Sequence, residues 1–455
     1  MDSIAGEKPA VAKTNAPPMA TFVERICSLI ARPRALSQSE RSDVAMAFED
    51  TMAVAYAGWH EAVVQACLKI YRGDDIALLD GSHASTIENA ALVHATAAHA
   101  LDYDDVHMTS VTHASAVLVP ALLAMAAEDS ARRSRLFEAY AVGLAVNIAL
   151  GKALGFSHYE RGWHATSTIG PLAAAAALTH LCGLDDAQSR AALALAAAQA
   201  GGLQRNFGSM GKPLQAGFAA AAAVRAVQLA AQNVNADSDI FGDKGFLDLY
   251  SGGGAVEPLV DIVPTIETNS LSRKLHPCCY AAHRFITAAF DLRAKLGGKV
   301  PANARVRGTA PSGMLQPLRI CDPHSGVEAK FCGAYIIAAG LLQGTVGLAD
   351  FEDAAIDRPA LRELMARTEL REQPAESGAL VGLDRGAVTL EIVVSGEVLA
   401  STRCAVYPGS PQAPASQAAL SQKVVDCLAH YNKHAREAVT PYGFAAWLRG
   451  QLAQH

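Results

Sequence analysis

Between residues 114 and 232 the chain runs through alanine-dominated segments that are apolar around most of a helical circumference. No other feature restricts its folds as much. Segments 114–128, 136–154, 186–199 and 212–232 all have this character, and a helix apolar all round must be buried on several sides. Alanine and glycine on the contact faces let helix axes approach closely, so a multi-helix core is expected. A hydrophobic fraction of 51% with only 6% aromatic residues fits close-packed helices and argues against an all-β sandwich. The most apolar runs, 169–184 and 216–231, are interrupted by His180, Arg225 and Gln228. Both fall short of the roughly 18 to 20 strongly apolar residues that span a bilayer, so no membrane partner is expected.

A chain of 455 residues exceeds what one hydrophobic core usually organises. The texture changes at 250–256 (YSGGGAV), followed by Pro258 and Pro264. Beyond it Val388, Leu390, Ile392 and Val394 alternate with other residues as in a half-buried strand, 395–397 reads as a turn, and 399–407 is suited to pair back. Helices are expected at 278–296 and 330–342, and again at 416–430 and 441–452. The expected fold is therefore mainly α. A large all-helical domain, residues 20–265 plus 415–455, receives an inserted smaller α+β domain, 266–414. Residues 1–19 are expected to be a disordered tail, being polar, Pro/Ala-rich and without the continuous apolar core of a signal peptide. The nine cysteines show no CxxC spacing and no disulfide framework, which points to a reducing cytoplasm. Forty-four acids against 38 bases give a net charge of −6 and no global basic field, so nucleic acid is not an expected partner.

The densest polar cluster is VHATAAHALDYDDVHMTSVTH, residues 93–113, which gathers His94, His99, His107 and His113 with Asp102, Asp104 and Asp105. Three readings stand: helix-end capping with solvated histidines, a metal site, or a loop in which His107 or His113 exchanges protons beside an orienting aspartate. His94 and His99 are five apart and no HExxH pattern is present, so metal ligation is not expected. In RGWHATSTIG, His164 stands before a helix expected to begin near Gly170–Pro171, with Thr166, Ser167 and Thr168 as cap-type residues at an end suited to a carboxylate. In FGSMGKPLQAG, Lys212 opens an alanine-rich helix and either snorkels to solvent or holds an anion. RKLHPCCYAAH (Lys274, His283) and HSGVEAKFCGAY (Lys330, Tyr335) add further polar groups.

Taken together, HALDYDDVH…THASAVLVPALLA, GWHATSTIGPLAAAAALTHLCGL, GSMGKPLQAGFAAAAAVRAVQLA, KLHPCCYAAH and EAKFCGAY resemble, in order and spacing, the MmgE/PrpD family of 2-methylcitrate dehydratases, cis-aconitate decarboxylases and iminodisuccinate epimerases. The resemblance covers about residues 21–452. It implies a helical domain with an α+β insertion, a homodimer, an active site between the domains and no metal or organic cofactor. It carries the family's active-site set onto Asp102, His113, His164, Lys212 and Tyr335. Val106 stands where many members have threonine, Gln215 where histidine is common and Ala114 where proline is usual, and the 105–113 loop lacks the family's DTW-type sequence.

A small di- or tricarboxylate is the expected substrate, held by Lys212, Lys274, His107, Thr166 and the helix start after His164. Dehydration needs a base and an acid, which His113, His164 and Tyr335 are expected to share. Three neighbouring aspartates are expected to raise the His113 pKa, making it the acid oriented by Asp102, with His164 as base or anion-site donor. Replacing Lys212 is expected to harm turnover and leave stability nearly intact. A hydro-lyase is the leading expectation. A decarboxylase of a cis-aconitate-like acid, an epimerase of an iminodisuccinate-like acid and a non-catalytic metabolite-binding protein are the alternatives.

Overall fold

The computed structural model describes residues 20–127, 129–252, 259, 261–374, 383 and 386–452. The tail over 1–19, and residues 253–256 and 258 of the expected change in texture, lie outside the described residues. The fold is mainly helical. Thr21 and Ser37 each close a capping box, with Glu24 and Glu40, at the starts of helices Phe22–Ala31 and Gln38–Gly58. Thr86 caps Ile87–Ala100. There follow Ala114–Ala126, Leu136–Glu160, Ala165–Cys182, Asp186–Ala197 and Gly211–Ala231, close to the segments expected from their apolar circumference. By length and composition 136–160 and 211–231 could cross a membrane, but 83% and 67% of their most apolar windows are buried inside the fold.

Two of these helices meet almost backbone to backbone. A Cβ on Gly217 would lie 2.2 Å from Thr96 Oγ1 and 2.8 Å from the Leu92 carbonyl oxygen, so only glycine allows helix 211–231 to lie this close to helix 87–100. That approach delivers Lys212, at one helix start, to the end of the other.

Buried apolar side chains fall into two clusters. One draws on 22–271 and on 424–448; the other on 278–407, together with Val106, Met108, Val111, Tyr159 and Phe207. The second cluster packs on a four-stranded sheet ordered Thr368–Glu372, Arg305–Ala310, Val388–Val394, Glu397–Cys404. The first pair is parallel and the others antiparallel. Val388, Leu390 and Ile392 are buried as their alternation requires, but a register shift after Ile392 buries Val393 and leaves Val394, expected on the buried face, half-buried. Helices His283–Lys295 and Gly333–Gln343 pack here. The first starts five residues later than expected, because the Cys279 N–H is drawn to the Lys330 carbonyl and a short 3₁₀ turn, Tyr280–Ala282, intervenes. Strands 305–310 and 368–372 escaped the sequence reading, since RVRGTA and TELRE carry charges on their exposed positions. So did a small sheet over 72–84.

After the sheet the chain returns through helix Gln417–Asn432, which packs on helix 38–58. Lys423, itself buried, donates to Asp50 Oδ1 at 2.7 Å and to the Tyr103 carbonyl at 2.8 Å. The returning helix thus grips the loop that carries Asp102, Asp104 and Asp105.

Several histidines are buried as neutral rings. Burial pushes His94 and His158 each down to about 4, and neither nitrogen of His94 has a partner among the described residues. The unfolded chain takes up these protons below about pH 6.5 while the fold refuses them. Their contribution to stability is therefore complete above pH 6.5 and is lost as pH falls from there toward 4. Urea unfolding should show stability declining over that window, and His94→Met should flatten the slope by about 1.4 kcal/mol per pH unit, the value for one proton. An unchanged slope would show that His94 is not held neutral.

Candidate active site

The aspartate loop follows helix 87–100, and Asp102 adopts a left-handed backbone, φ 52°, a conformation that costs energy unless neighbours fix it. Two buried lysines do so. Lys274 Nζ donates to both the Asp102 carbonyl and Asp102 Oδ1, each at 2.8 Å, and Lys212 Nζ donates to the same Oδ1 at 2.9 Å. Lys212 and Lys274 are 3% and 1% exposed. Burial alone disfavours charge on Asp102, yet the two lysines outweigh it and hold its carboxyl well below the usual range. Lys274 likewise resists its burial through Asp102 and Asp104, and its pKa is raised.

Lys212 also donates to His99 Nε2 at 2.8 Å. That leaves the ring proton on Nδ1, which lies 2.8 Å from Asp104 Oδ2. Lysine, histidine and carboxylate form one relay running from helix 211–231 to the aspartate loop. His99 was visible within the polar cluster but was not among the expected site residues, because its partner Lys212 is 113 positions away. His113 stands edge-on to His99, ring centroids 4.5 Å apart. Its Nδ1 lies 3.1 Å from Asp104 Oδ2, and its Nε2 lies 3.8 Å from Asp102 Oδ1. His113 does not have the raised pKa expected of it. Burial dominates, Lys274, His99 and Lys212 add to it against Asp104, and His113 is pushed down to about 3. Its nearer carboxylate is Asp104, not Asp102.

His164 is the residue before helix 165–182 and stacks on His99 at 5.7 Å. The helix starts at Ala165, earlier than expected, and Pro171 lies inside it. Burial first, then Lys212, holds the His164 pKa well below its usual value. Asp102, His113, His164, Lys212 and Cys279 line an interior cavity of about 30 Å³, walled otherwise mainly by apolar groups that include Val106, Met108, Phe207 and Phe331. This is room for one or two waters. Leu101, Pro213 and Lys330 line a larger cavity of about 720 Å³.

Lys274, expected to hold substrate, is engaged by Asp102 and does not line the cavity, and three other expected site residues are placed elsewhere. The Tyr335 hydroxyl donates to the Asp350 carbonyl and accepts from Arg358, so it ties helix 333–343 to the following turn and does not line the cavity. His107 is turned into its own loop, Nδ1 2.7 Å from Ser110 Oγ. Thr166 holds the protein itself, its hydroxyl accepting from the His113 backbone N–H at 3.0 Å. Lys212 does not snorkel, and its ion pair makes it part of the fold as well as of the cavity.

His99, Asp102, Asp104 and His113 could offer donor atoms all within 4.8 Å of one another, as a metal site would. Two ammonium groups already stand on two of those residues, Asp102 Oδ1 and His99 Nε2, at 2.8–2.9 Å. A divalent ion would have to displace them against their own charge, so the donor set does not suit one.

Residues 24–259 match the MmgE/PrpD N-terminal domain and residues 276–440 the MmgE/PrpD C-terminal domain. Cis-aconitate decarboxylase of Homo sapiens is 30% identical over 304 residues, covering 63% of this chain and 61% of that protein. The Mus musculus cis-aconitate decarboxylase is 28% identical over 305 residues with the same coverage. The cis-aconitate decarboxylase-like protein oryM of Aspergillus oryzae is 28% identical over 306 residues, covering 61% of this chain and 63% of its own. The aligned stretch is thus under two thirds of each relative's length.

Lys274→Met tests the ion-pair arrangement. Leaving Asp102 short of one buried partner should cost about 3–5 kcal/mol of stability. Lys212→Ala should also lower the melting temperature, contrary to the expectation for an exposed lysine. Thermal unfolding of both variants checks this, and wild-type melting in either would disprove the pairing.

Proposed function

Because the chain belongs to the MmgE/PrpD family, we propose that it is a lyase that acts on a small di- or tricarboxylate with its own side chains alone, and that it decarboxylates a cis-aconitate-like acid. The observation that carries this reading is a buried histidine held neutral at the edge of a charge-balanced cluster. Asp102 and Asp104 are matched by Lys212 and Lys274, so an arriving polyanion brings uncompensated negative charge beside His113. That charge raises the proton affinity of His113, which takes up a proton as the substrate binds. Loss of CO₂ then breaks a carbon–carbon bond and leaves an electron pair delocalised into a remaining carboxylate. Lys212 and His164 stabilise the oxygen that gains charge, and the His113 imidazolium gives its proton to carbon and returns to neutral.

Loss of CO₂ is put ahead of loss of water for two reasons. The three relatives carry the decarboxylase name, and the apolar walls favour a neutral product over a carboxylate. Dehydration is the second reading. Neutral His113 is competent to take a C–H proton, but a neutral His164 is a poor acid for the leaving hydroxyl. A cavity of about 30 Å³ is too small for either substrate, so turnover requires the cavity walls to part. A homodimer belongs to the same proposal, with Phe218 and Leu229, 52% and 40% exposed on helix 211–231, available for contact.

A panel of carboxylates followed for CO₂ release, water loss and solvent-deuterium incorporation tests the proposal. Cis-aconitate should release CO₂, undiminished by exhaustive chelation. Water loss without CO₂ would select the second reading, and saturable binding without turnover would mark a binding protein. Activity restored only by a divalent ion would refute the side-chain-only reading. Because free His113 is neutral, the proton must come from solvent, so kcat/KM should fall about tenfold per pH unit as pH rises from 6 to 8. A flat profile would exclude His113 as the acid.

A further inference from the structure

Gln215 stands four residues along helix 211–231 from its start, beside a strap formed by residues 201–204. Pro171 lacks an N–H, so the Ser167 carbonyl one turn earlier loses its helical donor. The Gly201 N–H takes that place at 3.3 Å, laying the strap across the start of helix 165–182. The Gly202 carbonyl then accepts from the His164 N–H at 3.0 Å, and Trp163 bridges to Leu203. Gly202 has φ 130°, and a Cβ there would meet Ser167 Cβ at 2.8 Å and Gln215 Oε1 at 3.0 Å. The strap can therefore approach only because residue 202 is glycine.

The orientation of the Gln215 amide is fixed by what surrounds it. The Leu203 backbone N–H, which can only donate, points at Oε1 from 2.6 Å, and Asn206 Nδ2 lies 3.3 Å from the same oxygen. Nε2 accordingly faces the Leu203 carbonyl at 3.4 Å and His164 Nδ1 at 2.9 Å. An amide NH₂ cannot accept a hydrogen bond. His164 Nδ1 is then the acceptor, and the ring proton sits on Nε2. That nitrogen is buried and has no partner among the described residues, while the ring lines the cavity shared with Asp102, His113 and Lys212.

We propose that Gln215 is a positioning residue that locks His164 as the neutral Nε2–H tautomer, making it a hydrogen-bond donor to an anionic substrate oxygen and removing it as a base. Lys212, His99, His113 and Asp102 are the titratable groups that face His164, and Lys212, His99 and His113 all oppose an imidazolium there. A neutral Nε2–H cannot leave as a proton without creating an imidazolate, so its contribution is hydrogen bonding to developing charge. The histidine that is common at this position in the family offers Nδ1 either a donor or an acceptor. Glutamine, clamped by Leu203, offers only a donor.

The test has a structural half and a kinetic half, and only the kinetic half rests on the lyase reading. Long-range ¹H–¹⁵N correlation of the full chain labelled in histidine, with His164 assigned through its loss in His164→Gln, should show a protonated Nε2 and a bare Nδ1 from pH 6 to 9. Gln215→Glu keeps the length and removes the amide donor that faces Nδ1, so Nδ1 should become protonated. Gln215→Met should leave the two tautomers mixed. Both variants should lower kcat roughly ten- to a hundredfold, as loss of one aligned donor does, with KM changed less than threefold. A wild-type spectrum with Nδ1 protonated would overturn the proposal without any variant having to fold. So would a tautomer indifferent to residue 215. A tautomer that responds as stated in a protein that turns over no carboxylate would uphold the lock and refute the lyase reading.

Discussion

One buried carboxylate oxygen organises the site. Asp102 Oδ1 accepts from Lys212 and Lys274 at once, and these lysines arrive from a core helix and from the segment that leads toward the sheet. Neither lysine could be buried alone, because the desolvation of an unpaired ammonium is several kcal/mol. The aspartate is held in a strained left-handed backbone by the same contacts. Each of the three is tolerable only where the other two are present. The close approach at Gly217 and the buried contact of Lys423 with Asp50 and Tyr103 O supply the rigidity that keeps them together.

The same arithmetic makes the site receptive. With two carboxylates and two ammonium groups in register, the cluster has no net charge to offer an incoming anion. Its response is carried by the histidines, which are neutral because burial makes them so. Each has a different partner. His99 is wired between Lys212 and Asp104, His113 leans on Asp104, and His164 is tied to Gln215. Three chemically identical rings are thereby given three different sets of partners, and environment assigns the work that residue type alone leaves open.

Much of the helical scaffold was legible because alanine-rich segments have one physical solution, burial against one another. The strand 388–394 was legible from its alternation. Strands 305–310 and 368–372 were hidden because Arg305, Arg307, Glu369, Arg371 and Glu372 spoil the apolar signal on positions that face outward. For the site, Asp102, His113, His164, Lys212 and Lys274 could be named in advance, and the structure brings them together. Their distances could not be read from sequence, and distance decides protonation. The three aspartates suggested a raised His113 pKa, whereas the lysines that neutralise Asp102 come from far along the chain and leave burial in control. Tyr335 was carried by its motif, but its hydroxyl is engaged by Asp350 and Arg358.

The seam between the two apolar clusters gives the remaining constraint. Val106, Met108, Val111 and Phe207 belong by sequence to the helical part, yet they pack with the cluster that surrounds the sheet. They are also walls of the small cavity. A wall that is apolar on one side and mechanically part of the second cluster on the other ties access to movement across the seam. Lys212 on its helix, Asp102 on its loop and His164 under its strap belong to the helical part, and Lys274 reaches Asp102 from the segment between the two clusters. Parting these walls separates apolar surfaces, which costs burial.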